Sequence, residues 1–148
     1  MAKIEPHFLQ EWLHQHIPAT ALLDLRLTQA DTQAVCLMAN FAKNHNHHGT
    51  AFGGSIALLA TACGWLSAYL QFDSNPNIVI KRSSMDYLAP AVGDLRAECL
   101  PLAAETIAKS QKMLARFGKG TVTIDCRLFS GAKLVAVWQG EFAIFQAK

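Results

Sequence analysis

An α+β fold with an antiparallel sheet is predicted by three features of this sequence. Residues 55–71 carry no charge, run to helix length and have apolar side chains all round rather than on one stripe. A helix of that kind is buried on most sides, and a curved sheet wrapped around it would supply the burial. The other apolar runs alternate or are rich in β-branched and aromatic residues, with short turns between several of them. Strands and helices are segregated along the chain instead of alternating, which argues against a parallel α/β sheet. No repeat, low-complexity tract or linker divides the 148 residues, so the expectation is one domain over 1–148, with an N-terminal helical segment at 1–18.

The elements follow in order. Residues 5–17 read as a short amphipathic helix in which Phe8, Leu9, Trp12, Leu13 and Ile17 share a stripe and Pro18 stops the helix. His7, His14 and His16 lie mostly off that stripe and are expected to face solvent. At 22–27, Leu23, Leu25 and Leu27 alternate with Asp24 and Arg26, the pattern of a half-buried strand. A polar turn at 29–33 leads to a second strand at 34–41, so the pair reads as a hairpin, and 43–50 is loop. After the apolar helix come a turn at 73–77, a strand at 78–88 with a polar stretch from Lys81 to Ser84, a turn at 89–94, and a strand starting at 95–102. Residues 105–117 have helical spacing and end at Gly118 and Gly120. Runs at 121–129 and 134–145 flank Ser130, Gly131, Ala132 and Lys133 and make a final antiparallel hairpin.

Composition narrows the function classes. A net charge of +2 with mixed signs leaves no basic footprint for nucleic acid. Lys81, Arg82 and the cluster from Lys109 to Lys119 could hold a few phosphates locally. Residues 49–72 are uncharged and long enough to span a membrane, but the glycines at the start argue for packing inside protein, as do the polar Ser55, Thr61, Ser67 and Gln71. Cys36, Cys63, Cys99 and Cys126 are scattered through apolar surroundings with no Cys-x-x-Cys pair. They read as buried, reduced thiols of a cytoplasmic protein.

The chemistry points to the stretch from Asn44 to Gly54. A polar loop rich in histidine and glycine runs straight into the apolar helix and can present backbone N–H groups at a positive helix end. His45, His47 and His48 raise the option of a metal site, but no His-Glu-x-x-His, Cys-x-x-Cys or clear carboxylate partner accompanies them, and no metal or cofactor is expected. Read without any relative, Asn46 could equally cap a turn, Gly53 and Gly54 could serve close packing, and Thr61 could be a packing residue with a back-bonded hydroxyl.

Asn46-x-x-Gly49-Thr50-Ala51-Phe52-Gly53-Gly54 before a buried helix resembles the active-site segment of hotdog-fold acyl-CoA thioesterases, which reads Asn-x-x-Gly-x-x-His-Gly-Gly with a carboxylate further along the helix. Tyr87-Leu88-Ala89-Pro90-Ala91-x-Gly93-Asp94 is similar to that family's strand-end signature. Ala136-x-x-x-Gly140-x-Phe142 and the extra helix at 105–117 resemble a subgroup of bacterial thioesterase domains, some of them fused behind an acetyltransferase domain.

The resemblance implies a curved antiparallel sheet around a central apolar helix. It also implies a homodimer or dimer of dimers acting on an acyl thioester of coenzyme A or acyl carrier protein, without nucleic-acid or membrane partners. It implies that Asn46 lies near the thioester carbonyl or the nucleophilic water, and that the Gly53 N–H, beside Gly54, bonds the thioester oxygen. Phe52 and the apolar helix face would then wall the acyl tunnel, with Lys81 and Arg82 meeting phosphates. Two departures stand out. Phe52 replaces the usual histidine, and Thr61 occupies the position of the carboxylate. Threonine could hold a water but not take its proton, so Asp86, His45, His47 and His48 are the candidate bases. The alternatives are a non-catalytic acyl-thioester binding module and a hydratase-like enzyme on the same fold.

Overall fold

Six strands form one antiparallel sheet in the computed structural model, which describes residues 6–31, 33–72 and 75–147. The chain runs α1 (Pro6–His16), α2 (Pro18–Leu22), β1 (Leu25–Ala30), β2 (Val35–Ala39), α3 (Gly53–Tyr69), β3 (Asn77–Tyr87), β4 (Leu95–Cys99), α4 (Ala104–Phe117), β5 (Lys119–Ser130) and β6 (Lys133–Phe145). The sheet order is β1-β2-β4-β5-β6-β3, so β3 is an edge strand although it lies mid-chain. This is the hotdog fold: a curved antiparallel sheet with α3 against one face, touching β2, β3, β4, β5 and β6. Among the described residues no helix is long and apolar enough to cross a membrane.

Strand burial alternates as the sequence pattern requires. Val35, Leu37 and Ala39 of β2, Leu95, Ala97 and Cys99 of β4, and Val122, Ile124, Cys126 and Leu128 of β5 face the core together with Leu59, Cys63 and Leu66 of α3. Trp138 fixes the distance between helix and sheet. Its ring lies against Gly64 on α3 and over Gly140 on its own strand, and a Cβ at Gly64 would come 2.5 Å from Trp138 Cζ3. Only glycine leaves room for that ring. Local stop signals act as expected: Gly118 caps α4 in the left-handed region at φ +72°, and Gly131 at φ +60° turns β5 into β6.

Several expectations need correction. α1 ends at His16, before Pro18 as expected, but Pro18 also opens a second short helix, α2, where its missing N–H has no intrahelical role. Leu22 therefore belongs to α2, and β1 begins at Leu25 and runs on through Gln29 to Ala30, past a bulge between Leu27 and Gln29. The following strand after the 89–94 turn ends at Cys99. His7 and His16 are exposed, whereas His14 is half-buried with Nε2 2.7 Å from the Leu25 carbonyl. Glu5, Asp73 and Ser74 lie outside the described residues, so the turn expected at 73–77 is seen only at its end, where Asn75 has φ +50° and Asn77 opens β3. Finally, α3 is not buried all round. Ala57, Leu58, Thr61, Trp65 and Tyr69 form a half-buried stripe that the sheet does not cover.

Candidate active site

The loop before α3 is held by its own hydrogen bonds. Asn46 Oδ1 accepts from the N–H groups of His48 at 2.9 Å and Thr50 at 3.2 Å, and Asn46 Nδ2 donates to Thr50 Oγ1 at 2.9 Å. The Asn46 N–H donates to the Thr50 carbonyl at 2.7 Å, and Gly49 turns the chain at φ +78°. Asn46 thus shapes the turn, as a bare reading of an asparagine in a loop predicts, but an amide nitrogen carries two hydrogens. No acceptor for the second is found among the described residues. Below the loop, Asn44 is buried, and its Nδ2 donates to the carbonyls of Leu23 at 3.0 Å and Asn40 at 2.8 Å.

Two segments with specific motifs meet here. The Ala51 N–H donates to the Ala91 carbonyl at 2.8 Å, and the Tyr87 hydroxyl donates to the Gly53 carbonyl at 2.9 Å. Between them lies an open cleft of about 370 Å³ lined by Thr50, Ala51, Gly53 and Ile56 on one side and Tyr87 to Ala91 on the other.

The first turn of α3 faces this cleft without a side-chain cap, because the N-cap residue is Phe52. The first helical bond runs from Ile56 N–H to the Phe52 carbonyl at 3.1 Å. The N–H groups of Gly53, Gly54 and Ser55 therefore have no acceptor among the described residues, at the end of the helix where negative charge is stabilised. Phe52 is exposed, and its ring lies across Gly54 so closely that a Cβ there would collide with it. It is a wall beside the helix end.

A second cavity of about 370 Å³ lies further along α3 and is lined by Leu58, Thr61, Ala62 and Trp65, with Ile17 and Thr20 from the α1–α2 corner, Ile78 to Ile80 of β3, and Phe142. Its polar residues are all turned inward on backbone carbonyls. Thr61 Oγ1 donates to Ala57 at 2.8 Å, Thr20 Oγ1 to Ile17 at 2.7 Å, and Trp65 Nε1 to Ile78 at 3.0 Å. What they offer the cavity is carbon, so it suits a hydrocarbon tail. Trp65 is braced by stacking on Trp12 and Tyr69, with ring centroids 5.9 and 5.0 Å away.

The remaining candidates lie elsewhere in the protomer. In register, Met85 is opposite Trp138 and Tyr87 opposite Ala136, on the face that carries α3. Asp86 is opposite Val137, and by the strand's two-residue alternation it lies on the outer face with Ser84 and Arg82. Lys81 Nζ is 3.3 Å from Glu141 Oε1, on an exposed part of β3 about 20 Å along the strand from Tyr87. His45 Nδ1 lies 2.9 Å from the Asn46 carbonyl, and the exposed His47 and His48 rings touch, tilted by 40° with centroids 3.9 Å apart. Among the described residues the loop histidines gather no metal-ligand set. Neither cavity is lined by a carboxylate or an imidazole. Gly53 lines the cleft and Gly54 follows it in the helix, Asn46 is tied to the cleft through Thr50, and Thr61 lines the second cavity, while Asp86, Lys81 and Arg82 line neither. Tyr87 and the cavity residues Ile17, Thr20 and Trp65 were not singled out as site residues. Tyr87 had a signal in the strand-end motif, and the others had none, since only the fold places them beside Thr61.

Similarity to known proteins identifies the family. Residues 7–146 match the family model described as "Putative thioesterase (yiiD_Cterm)". The chain is similar to a Chlorobaculum tepidum TLS protein of unknown function, at 25% identity and a TM-score of 0.90, over 96% of this chain and 94% of that one. It is also similar to a Pseudomonas aeruginosa protein called a probable thioesterase, at 25% identity and a TM-score of 0.84, over 97% of both chains. A Shewanella oneidensis protein described as a "putative thioesterase" shares the fold at 22% identity and a TM-score of 0.79, over 96% of this chain and 97% of that one. The chain belongs to the yiiD_Cterm thioesterase family of the hotdog fold.

Proposed function

We propose that this protein hydrolyses acyl thioesters of coenzyme A or acyl carrier protein, as a homodimer or dimer of dimers. The observation that carries the reading is the uncapped N-terminus of α3, open to a cleft built by the two motif segments. A thioester carbonyl placed there would face the Gly53 N–H, and Asn46, tied to the cleft residue Thr50, is the candidate second donor. As the carbon becomes tetrahedral its oxygen gains charge, so donors already in position favour the transition state over the ground state. Gly54 keeps the helix start clear beneath the Phe52 ring.

A pair of copies would join the two cavities into one site. Gly53 and Thr61 are about 12 Å apart along α3, and they lie toward opposite ends of β3. β3 is an edge strand of 11 residues with most side chains exposed, among them Val79 and Ile80. Such an edge invites a further strand. Antiparallel self-pairing about its middle sets the Tyr87 end of one copy against residues 77–80 of the other. The polar cleft of one protomer then adjoins the apolar cavity of its partner, carbonyl in one and tail in the other.

With Thr61 bonded back to Ala57, its hydroxyl oxygen can still accept a hydrogen bond from a water, while the proton passes to a group outside both cavities, with His47, His48 and Asp86 as candidates. The same back-bonded Thr61 and the missing carboxylate favour the second reading, an acyl-thioester binding module without turnover. Free thiol released from a panel of acyl-CoAs and acyl carrier proteins of increasing chain length separates the two. Turnover that peaks at one chain length is expected. Tight binding with no thiol release on any substrate would leave only the binding module, and the preferred carrier would show in the ratio of kcat/KM values.

A further inference from the structure

On the side of α3 turned away from the acyl cavity, three cysteines converge. Cys63 comes from α3, Cys99 from the end of β4 and Cys126 from β5, where it is directly opposite Cys99 in register. Their side chains are 0%, 0% and 2% exposed, and their three sulfurs all lie within 4.8 Å of one another. Cys63 follows Thr61 by two residues and so points about 200° away from it around the helix. None of the three lines either cavity.

We propose that this trio is a binding site for one soft d¹⁰ cation, of the Zn²⁺ or Cu⁺ class. A d¹⁰ ion bonds thiolate sulfur at about 2.3 Å, so three sulfurs arranged around it stand about 4 Å apart. The observed spacing needs less than an ångström of closure. The ligands are soft sulfurs alone, which selects against hard cations such as Mg²⁺ and Ca²⁺. Each is carried by a different rigid element, so the set is organised before any ion arrives.

The surroundings set the proton balance. Cys63 donates its S–H to the Val35 carbonyl at 3.3 Å, leaving its sulfur lone pairs toward the other two thiols. Each sulfur bonds the ion as a thiolate, so binding forms three metal–sulfur bonds, breaks three S–H bonds and releases three protons to solvent. The assembly then carries a net charge of −1 with Zn²⁺ and −2 with Cu⁺, and an apolar core favours the smaller of the two. Because the sulfurs are sealed from solvent, the ion enters while the chain folds or opens locally.

The full chain, unfolded under a phosphine reductant and refolded with one equivalent of Zn²⁺ or, anaerobically, Cu⁺, tests the site. After desalting against a weak chelator, metal per chain is counted by mass spectrometry. Wild type and Cys36→Ala, whose cysteine lies outside the trio, are expected to keep about one ion, and Cys99→Ala and Cys126→Ala at least tenfold less. Cd²⁺ in place of Zn²⁺ should give a sulfur-to-metal charge-transfer band in the wild type, a readout that needs no variant to fold. Folded wild type that returns free of both ions and shows no cadmium band would overturn the proposal, as would undiminished metal in the two variants.

Discussion

The Tyr87 hydroxyl donates to the Gly53 carbonyl at 2.9 Å, tying the last residue of β3 to the first residue of α3. Both motif segments are joined at that point, and the ring packs 3.6 Å from where a Gly53 side chain would begin. Tyr87 therefore positions the start of α3, its hydroxyl proton being engaged on the Gly53 carbonyl.

Tyr87→Phe keeps the ring and removes the bond. A half-exposed hydrogen bond is worth about 1 kcal/mol, so a fall of roughly fivefold in kcat/KM is expected, with Tm lower by about 3 °C. An unchanged kcat/KM alongside a lowered Tm would make the tyrosine a purely structural tie.

Asn46 has two separable functions. Asn46→Asp retains Oδ1 for the His48 and Thr50 amides but replaces the amide donor, and it adds charge where the thioester oxygen becomes negative. Stability within about 0.5 kcal/mol of wild type and a kcat/KM loss of tenfold or more are expected, since a donor in an oxyanion hole is commonly worth more than that. Asn46→Ala should lose both, and thermal unfolding together with kinetics distinguishes the cases. Wild-type activity in the aspartate variant would restrict Asn46 to shaping the loop.

Acyl selectivity should follow the cavity beside Thr61. Since about 150 Å³ suffices for a six-carbon ring, 370 Å³ holds on the order of a dozen carbons. Ala62→Leu projects extra carbons into that space. The longest substrates should lose at least tenfold in kcat/KM while the shortest change by less than about twofold, in keeping with what a few methylenes are worth. A uniform loss across the chain-length profile would place the tail elsewhere.

The β3 edge can be tested by proline. Along an antiparallel strand successive residues send their N–H groups to opposite sides, so one of Ser83 and Ser84 points to β6 and the other outward. Of Ser83→Pro and Ser84→Pro, the variant that removes only the outward N–H should fold and elute as a monomer with little thioesterase activity. A folded variant of each kind that remains dimeric by light scattering would exclude self-pairing through β3.

Much of the fold was legible because its signals are local. The apolar helix, the closing hairpin around Gly131 and the Gly118 cap each depend on a few consecutive residues. Pro18 stops α1 as its chemistry requires, and α2 goes unsignalled because a proline that ends one helix also suits the first position of the next. For the site, the loop from Asn44 to Gly54 was recognisable, and so was the strand-end motif beginning at Tyr87.

Side-chain direction was a different matter. The face on which Asp86 lies depends on register with β6 and on the bulge between Ile80 and Arg82, and a one-residue slip would reverse it. The Thr61 hydroxyl could have faced a water or its own helix, and the geometry shows it on the Ala57 carbonyl.

Periodicity and turn chemistry along the chain thus specify the elements and the glycine-rich entry to α3, since those depend on neighbours within a turn or two. Long-range strand pairing specifies the rest: a cleft shared by Gly53 and Tyr87, an apolar cavity to which the α1–α2 corner adds Ile17 and Thr20, and three cysteines from positions 63, 99 and 126 meeting at one point. No spacing in the sequence encodes that meeting, because it exists only once β4 and β5 are in register and α3 is laid across them.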